Sequence, residues 1–382
     1  MMRKIIFLVF LQILLITTGK SACSQTPGGF DYYKSLNDAE TRLAEYRDSD
    51  EELKLKLQQL DIINGSRKKY RAEPVALDIL ASRVANKMCR EAAQKGYVSH
   101  WNLSGEKPYH RYAFAGGYDH VSENAYGEWT SGKYNISGTL IASLMKNGHQ
   151  SFMSEKAPRD GHKKNIINRP HNYVGIGFFI TENQFRYYEE FIDRYLEFGT
   201  VPSKLLINEE GIISVNTKGE SFLYFLICYR ENLPVPVKPG QKPRTGTYED
   251  FSAETALRIP AWDLARYRTG TQYNIPVVFK KEGLYYVQLF IDKKEITTPR
   301  AITTKGYYPV SGIVIRVAGR EFPETGFYFT MSFVDVSIIT GNDIFWGPVN
   351  STVPFIFEVF CSLTTYPSFI ANHITDSPVT GP

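Results

Sequence analysis

Between His100 and Gly177 the chain sets two histidines and a glutamate among glycines and turn residues, and no other stretch limits its architecture as strongly. The stretch opens with Val98-Ser-His100-Trp-Asn-Leu-Ser-Gly105 and passes through Gly116-Gly-Tyr118 and Ser122-Glu-Asn124-Ala. It ends in Asp160-Gly-His162-Lys-Lys-Asn-Ile-Ile-Asn168, directly before the glycine-spaced run Tyr173-Val-Gly-Ile-Gly177-Phe-Phe-Ile180. Polar side chains beside turns converge on a cleft more readily than they fill a core. The flanking sequence is therefore expected to build the walls of that cleft.

The preceding text is helical. From Asn37 to about Arg67 it favours helix, with Asn64-Gly65 marking a break or a close packing point, and residues 25–37 read as a mobile lead-in. Pro74 is expected to open a second helix. Its apolar residues fall at Leu77, Leu80, Ala81, Val84, Ala85, Met88, Cys89 and Ala92, the stripe of one buried face, and Gly96 ends it. A third helix is expected from about Ser137 to Phe152, then a helical turn over Lys163–Asn168. The run Tyr173–Ile180 should pair antiparallel with Phe185–Leu196 across Thr181-Glu-Asn-Gln184. Helices followed by a late antiparallel pair make an α+β pattern.

After Phe198 long helical stripes cease. Expected strands are Lys204–Ile207, Ile212–Val215, Phe222–Tyr229, Asn274–Phe279, Leu284–Ile291, Ile313–Val317, Phe327–Val336 and Phe355–Cys361, separated by glycine and proline turns. This is an all-β region of sandwich type. Pro234-Val-Pro-Val-Lys-Pro-Gly240 and Lys242-Pro-Arg-Thr-Gly246 form a stiff connector within it. Gly283–Asp292 echoes Gly326–Asp335, as two related β units or two similar strands after turns would.

Composition bounds the function. The chain has 382 residues, 43% of them hydrophobic, and a net charge of +4 with no long Lys/Arg block. That length implies more than one domain, and the charge pattern argues against a nucleic-acid surface. Arg3 and Lys4 precede an apolar run from Ile5 to Ile16, and small residues follow to Ser24. This is the pattern of a secretory signal, too short for a comfortable membrane span, so the mature chain is expected to be secreted or held in the cell envelope without a transmembrane segment. Lipid anchoring through Cys23 is the less favoured route, because Lys20 stands where that signal wants an aliphatic residue. Cys89, Cys228 and Cys361 sit in apolar sequence and read as buried small hydrophobes, with a Cys228–Cys361 bridge as the alternative.

The central stretch resembles the CAP superfamily of cysteine-rich secretory proteins, antigen 5 and pathogenesis-related proteins, in its bacterial form. The resemblance covers roughly residues 50–196 and rests on Asn64-Gly-Ser-Arg67, Pro74-Val-Ala-Leu77, His100, Glu123-Asn124, Gly161-His162 and Gly175-Ile-Gly177. It implies an α-β-α sandwich, followed here by immunoglobulin-like β structure. With the signal pattern and the β region, the expected organisation is a signal peptide at 1–24, a CAP domain at 25–199, an all-β region of one or two sandwich-like units at 200–368 and a tail at 369–382. The resemblance also implies a cleft holding His100, Glu123 and His162. Phe152-Met-Ser-Glu155 supplies Glu155 as the second acid, although that acid stands closer to His162 than in many members. Asn124, Tyr126 and Trp129 are candidates for the rim.

Two imidazoles and one or two carboxylates have three chemical readings. They can hold a divalent metal such as zinc through His100 and His162, act as a metal-free acid–base pair, or tie helices to sheet without chemistry. The resemblance favours an extracellular or surface binding module for a lipid, a sterol-like molecule or a protein. The rival is a metal-dependent, peptidase-like hydrolase using the same cleft. His149 reads as a surface or rim residue, and His110, His120 and His171 as loop residues. The sequence contains no His-Glu-x-x-His helix, Gly-x-Ser-x-Gly elbow, phosphate loop or Cys-x-x-Cys pair.

Overall fold

The computed structural model describes residues 28–248 and 254–319, and the backbone of residues 339–340 and 343–344. The chain divides into two compact units, Met1–Pro323 and Glu324–Pro382. Helix and sheet both contribute heavily to the first unit, as the α+β expectation requires.

Its first half is built around a four-stranded sheet. Helix α1 (Phe30–Ala39) and helix α2 (Asp50–Lys69) lead to the short strand β1 (Ala76–Leu77) and helix α3 (Ile79–Lys95). Helix α4 (Pro108–Phe114), strand β2 (His120–Trp129), helices α5 (Gly138–Ser154) and α6 (Gly161–Ile166), and strands β3 (Tyr173–Ile180) and β4 (Gln184–Asp193) follow. The sheet order is β1-β3-β4-β2, with β1 parallel to β3 and the other pairs antiparallel. Strand β2 is therefore an edge.

Local signals explain the helix ends. Ser49 and Glu52 form a reciprocal capping box at the start of α2, whose first turn is acidic and whose last turn carries Arg67, Lys68 and Lys69. The Asp78 carboxylate accepts from the Ala81 N–H at 2.6 Å, and Gly96 ends α3 at φ 66°. On one face of the sheet, Gly175 and Gly177 let α3 approach closely. A Cβ on either would stand 2.4 Å from the carbonyl carbon of Ala81 or Ala85. On the other face, Val174, Ile176, Tyr187 and Phe191 pack with Leu60 and Ile63 of α2 and with Leu144, Met145 and Phe152 of α5. Helices thus cover both faces.

Several expectations need correction. Helix α2 runs through Asn64-Gly65 without a break; the Asn64 amide instead grips the Val75 backbone, accepting its N–H at 2.8 Å and donating to its C=O at 2.9 Å. That grip holds the chain extended, so residues 76–77 join the sheet and α3 starts at Ile79, not at Pro74. From Phe30 onward the lead-in is helical, and α1 buries Tyr33 and Asn37. Helix α4 and strand β2 were not anticipated, because their residues lack a clear apolar period.

The second half packs two sheets face to face. One contains β5 (Leu196–Phe198), β7 (Glu210–Thr217), β10 (Arg268–Thr269) and β11 (Gln272–Val278), ordered β10-β11-β7-β5. The other contains β6 (Lys204–Leu206), β8 (Phe222–Glu231), β9 (Glu254–Pro260), β12 (Gly283–Asp292) and β13 (Ile313–Ala318), ordered β6-β13-β12-β8-β9. A short helix, α7 (Ala261–Leu264), follows β9. Ile213, Val215, Tyr273 and Ile275 of the first sheet share a core with Leu226, Cys228, Val287, Leu289 and Ile315 of the second. This is a two-sheet sandwich.

The halves also share apolar packing. Leu80, Trp101, Tyr109 and Val121 cluster with Leu284, Tyr286 and Val314, and the Tyr109 and Tyr286 rings stack at 4.1 Å. Cys89 and Cys228 are buried, and among the described residues neither is bonded to another cysteine. Residues 1–24, Cys361, the expected strands at 327–336 and 355–361, the echo at 326–335 and the tail lie outside the described residues. In the second unit, β14 (Ile339–Thr340) pairs antiparallel with β15 (Asp343–Ile344).

Candidate functional site

The cleft forms at the edge strand β2. Side chains alternate along a strand, so Glu123 and Asn124 leave β2 on opposite faces of the sheet. Glu123 lies across from Glu190 of β4 on the α3 side, and Asn124 lies across from Glu189 on the α5 side. His100, in the loop after α3, places Nδ1 2.7 Å from Glu123 Oε1. His162, in α6, places Nδ1 2.5 Å from Glu155 Oε1, while its backbone N–H donates to Glu155 Oε2 at 3.0 Å. The two imidazole rings meet at 6.3 Å between centroids. Two histidine–carboxylate pairs are thereby brought together, one from each side of the sheet.

The pairs differ in environment. The Glu123 side chain is 0% exposed, whereas His162 is 33% exposed. Arg111 of α4 supplies the charge that makes a buried Glu123 tolerable. Its guanidinium donates to Glu123 Oε2, also donates to the His100 carbonyl at 2.7 Å, and lies 3.6 Å from Glu190 Oε1. The two carboxylates hold Arg111 protonated despite the opposing effect of burial. Glu190 has no hydrogen-bond partner at either oxygen among the described residues. Burial, then the charge on Glu123, push the Glu190 carboxyl well above its ordinary range. Burial also raises Glu123, but Arg111 opposes that rise, so the proton of the pair rests on Glu190.

Glu190 and Arg111 were missed by the sequence reading. The available signal was Glu189-Glu190 inside the aromatic-rich run Phe185–Ile192, because two adjacent acids in a buried strand require partners.

Behind the cleft lies a continuous polar network. His149 is buried in α5, bonded to Glu189 at 2.9 Å and to the Ser66 hydroxyl at 2.9 Å, which corrects its placement at the surface or rim. Asn124 donates to Glu189 at 3.0 Å and to the His162 carbonyl at 3.2 Å, and accepts from Asn165 at 3.0 Å. His171 is a loop residue but fully buried, bonded to Asp193 at 2.7 Å; His120 begins β2 and bonds the other oxygen of Asp193 at 2.8 Å. His110 is not in a loop either, because it lies buried in α4. Arg67 secures the segment after α6 by donating to the carbonyls of Ile166, Asn168 and His171 at 2.6, 3.0 and 2.9 Å. Asn64 and Arg67 thus act as staples behind the cleft.

Tyr126 packs against Phe152 at 6.3 Å and bonds Glu128, in keeping with core packing. Trp129 is 70% exposed. It lies six residues along β2 from Glu123, about 20 Å away at the usual strand rise, so the structure does not bring it to the cleft. Tyr248, from the proline-rich connector, enters instead. Its hydroxyl accepts the Glu123 N–H at 2.6 Å, and its ring lies 4.7 Å from that of His100.

The donor set has part of what a metal centre requires. Each Nδ1 is held by a carboxylate, an arrangement that orients the opposite nitrogen of a ligating histidine. Among the described residues, however, no three His, Cys, Asp or Glu side chains converge as metal ligands. No helix of the described residues is long and apolar enough to cross a membrane.

No protein-family model and no curated protein matches the sequence. Among solved structures, an extracellular protein containing an SCP domain from Bacillus anthracis str. Ames aligns with a TM-score of 0.27 and 20% identity, over 36% of this chain and 39% of that one. An outer surface protein from Borrelia burgdorferi aligns with a TM-score of 0.28 and 18% identity, over 35% of this chain and 89% of that one. This chain therefore spans about two fifths of the Bacillus protein.

Proposed function

We propose that this chain is an exported, CAP-type binding module whose cleft recognises a ligand without transforming it. The observation that carries the reading is the locking of Glu123. Its two oxygens are taken by His100 and Arg111, and its side chain is 0% exposed. A carboxylate engaged in this way is poorly disposed to take a proton from water or substrate. Glu155 is engaged through both oxygens by His162. What remains is a rigid frame of imidazoles suited to recognition. The ligand is a lipid, a sterol-like molecule or a protein. The basic head and apolar run at residues 3–16 support export, and the two-sheet region is read as an immunoglobulin-like spacer or adhesive partner.

The alternative is a metal-dependent hydrolase with His100 and His162 as ligands of zinc or another divalent ion. Hydrolytic zinc sites use three protein ligands, and the described residues supply two imidazoles without a third converging group.

The test is titration of the purified chain with zinc chloride, alongside hydrolysis of an unstructured peptide, for wild type and His100→Ala/His162→Ala. The binding reading expects zinc uptake that is negligible or independent of the histidines, and no turnover. One equivalent of zinc together with turnover, both lost in the double variant, would replace it with the hydrolase.

A further inference from the structure

The connector Leu233–Tyr248 runs along the rim of the cleft as a peptide ligand would. It forms no helix or strand and carries prolines at 234, 236, 239 and 243, which favour an extended, low-entropy backbone. Its contacts follow the loop after α3 from Gly96 to Gly105. The Val237 N–H donates to the Leu103 carbonyl at 2.7 Å, the Ser99 hydroxyl donates to the Arg244 carbonyl at 2.5 Å, and Lys242 Nζ donates to the Gly96 carbonyl at 2.8 Å. Gly105, at φ +78°, makes room for the connector, since a Cβ there would stand 2.4 Å from the Val235 carbonyl oxygen.

Two side chains anchor it. The Arg244 guanidinium lies 3.9 Å over the Trp101 ring, a cation–π contact. Tyr248, only 6% exposed, seals the cleft against His100 and accepts a backbone N–H from the edge strand β2. Backbone hydrogen bonds along a groove with side-chain seats at intervals are how extended peptides are recognised.

Most of the connector is exposed, with Pro243 and Tyr248 buried. Val235 is 78% exposed, and between the connector, Trp101, His110 and Glu231 lies a cavity of about 690 Å³. The connector is held at scattered points, at Val235, Val237, Lys242, Arg244 and Tyr248. A segment held this way opens more readily than a packed strand, and its opening uncovers the apolar cluster that Tyr248 shares with Trp101 and Tyr109.

We propose that the ligand of this cleft is an extended, proline-bearing polypeptide that stacks a guanidinium on Trp101 and presents a phenol to His100 and the Glu123 N–H, with Leu233–Tyr248 as its intramolecular substitute. The proposal rests on the binding reading of the cleft and names the ligand class.

The probe is a fluorescein-labelled peptide with the sequence of residues 233–248, titrated by anisotropy into full-length wild type and into Arg244→Ala/Tyr248→Ala. The double variant is expected to bind it saturably and at least tenfold more tightly than wild type. Binding should be lost when the final tyrosine of the peptide is replaced by alanine. A folded double variant that ignores the peptide, wild type that binds equally well, or a scrambled peptide that binds as well would overturn the proposal.

Hydrogen exchange of the wild type provides a test independent of variant folding. The Val237 and Glu123 amides should open at least tenfold faster than the core of β4. Equal protection would mean that the connector leaves only on global unfolding, and would sink the idea. If the peptide fails in every form while zinc and turnover assays stay negative, the polypeptide assignment falls and the binding module stands. Histidine-dependent zinc uptake with turnover fells both.

Discussion

At the scale of single residues, the cleft is a problem of buried charge. Glu123 is stable because Arg111 and His100 take its oxygens, whereas Glu190 beside it is stable because it is neutral. Their amide variants should therefore separate. Glu190→Gln replaces a protonated acid with a neutral group of the same shape and is expected to change unfolding free energy by less than about 1 kcal/mol. Glu123→Gln strands the buried Arg111 charge and is expected to cost about 3–5 kcal/mol. Urea unfolding of the two variants checks this, and equal losses would mean that the proton does not rest on Glu190. His100, Glu123 and His162 stand out in the sequence among glycines and turn residues, whereas Glu155 followed only from the resemblance. Glu190, Arg111 and Tyr248 were not legible there, because each is defined by a partner on another element; Tyr248 meets Glu123 from 125 positions away.

At the scale of elements, the close approach of α3 to the sheet places the loop that carries His100. The apolar stripe of α3 was plain in the sequence, as was the glycine spacing of β3, but their contact was not. Gly177→Ala puts a methyl 2.4 Å from the Ala85 carbonyl carbon, so backbone must shift. The expected loss is about 1–3 kcal/mol, read as a lowered Tm, while Gly65→Ala in α2, where a Cβ meets nothing within 4 Å, should be neutral or stabilising. Matching losses at both positions would remove the close-approach argument. Strand β2 escaped notice because its edge position and the buried polar residues Ser122, Glu123 and Asn124 blur the alternation that marks a half-buried strand.

At the scale of the first unit as a whole, α4 is fastened to the sandwich by one acid. Glu231 at the end of β8 accepts from Tyr109 at 2.5 Å and from Lys107 at 2.8 Å, and lies 3.3 Å from His110. Burial raises its pKa, but His110, Lys107 and Tyr109 outweigh burial and hold it down to about 2. A carboxylate depressed in the folded state stabilises fully above its unfolded value near 4.5 and loses that contribution as pH falls through 2. Burial also depresses His110, whose protonation below its ordinary range acts in the same direction. Tm should therefore fall between pH 4.5 and 2, by an amount equivalent to on the order of 3 kcal/mol from Glu231. Glu231→Gln should flatten that part of the profile, and an unchanged profile would exclude this fastening.

The sequence alone determined what depends on neighbours a few residues apart: the helix stripes, the glycine end of α3 at Gly96, most strands of the sandwich and the positions of the polar turns. Only the tertiary structure decided which polar groups are buried and who neutralises them. The free energy of a buried charge depends on its partner in space, and that partner can come from any point along the chain. The same reason hid the connector. Its prolines predicted stiffness, but the rim it lies against exists only once helix, loop and edge strand have been brought together.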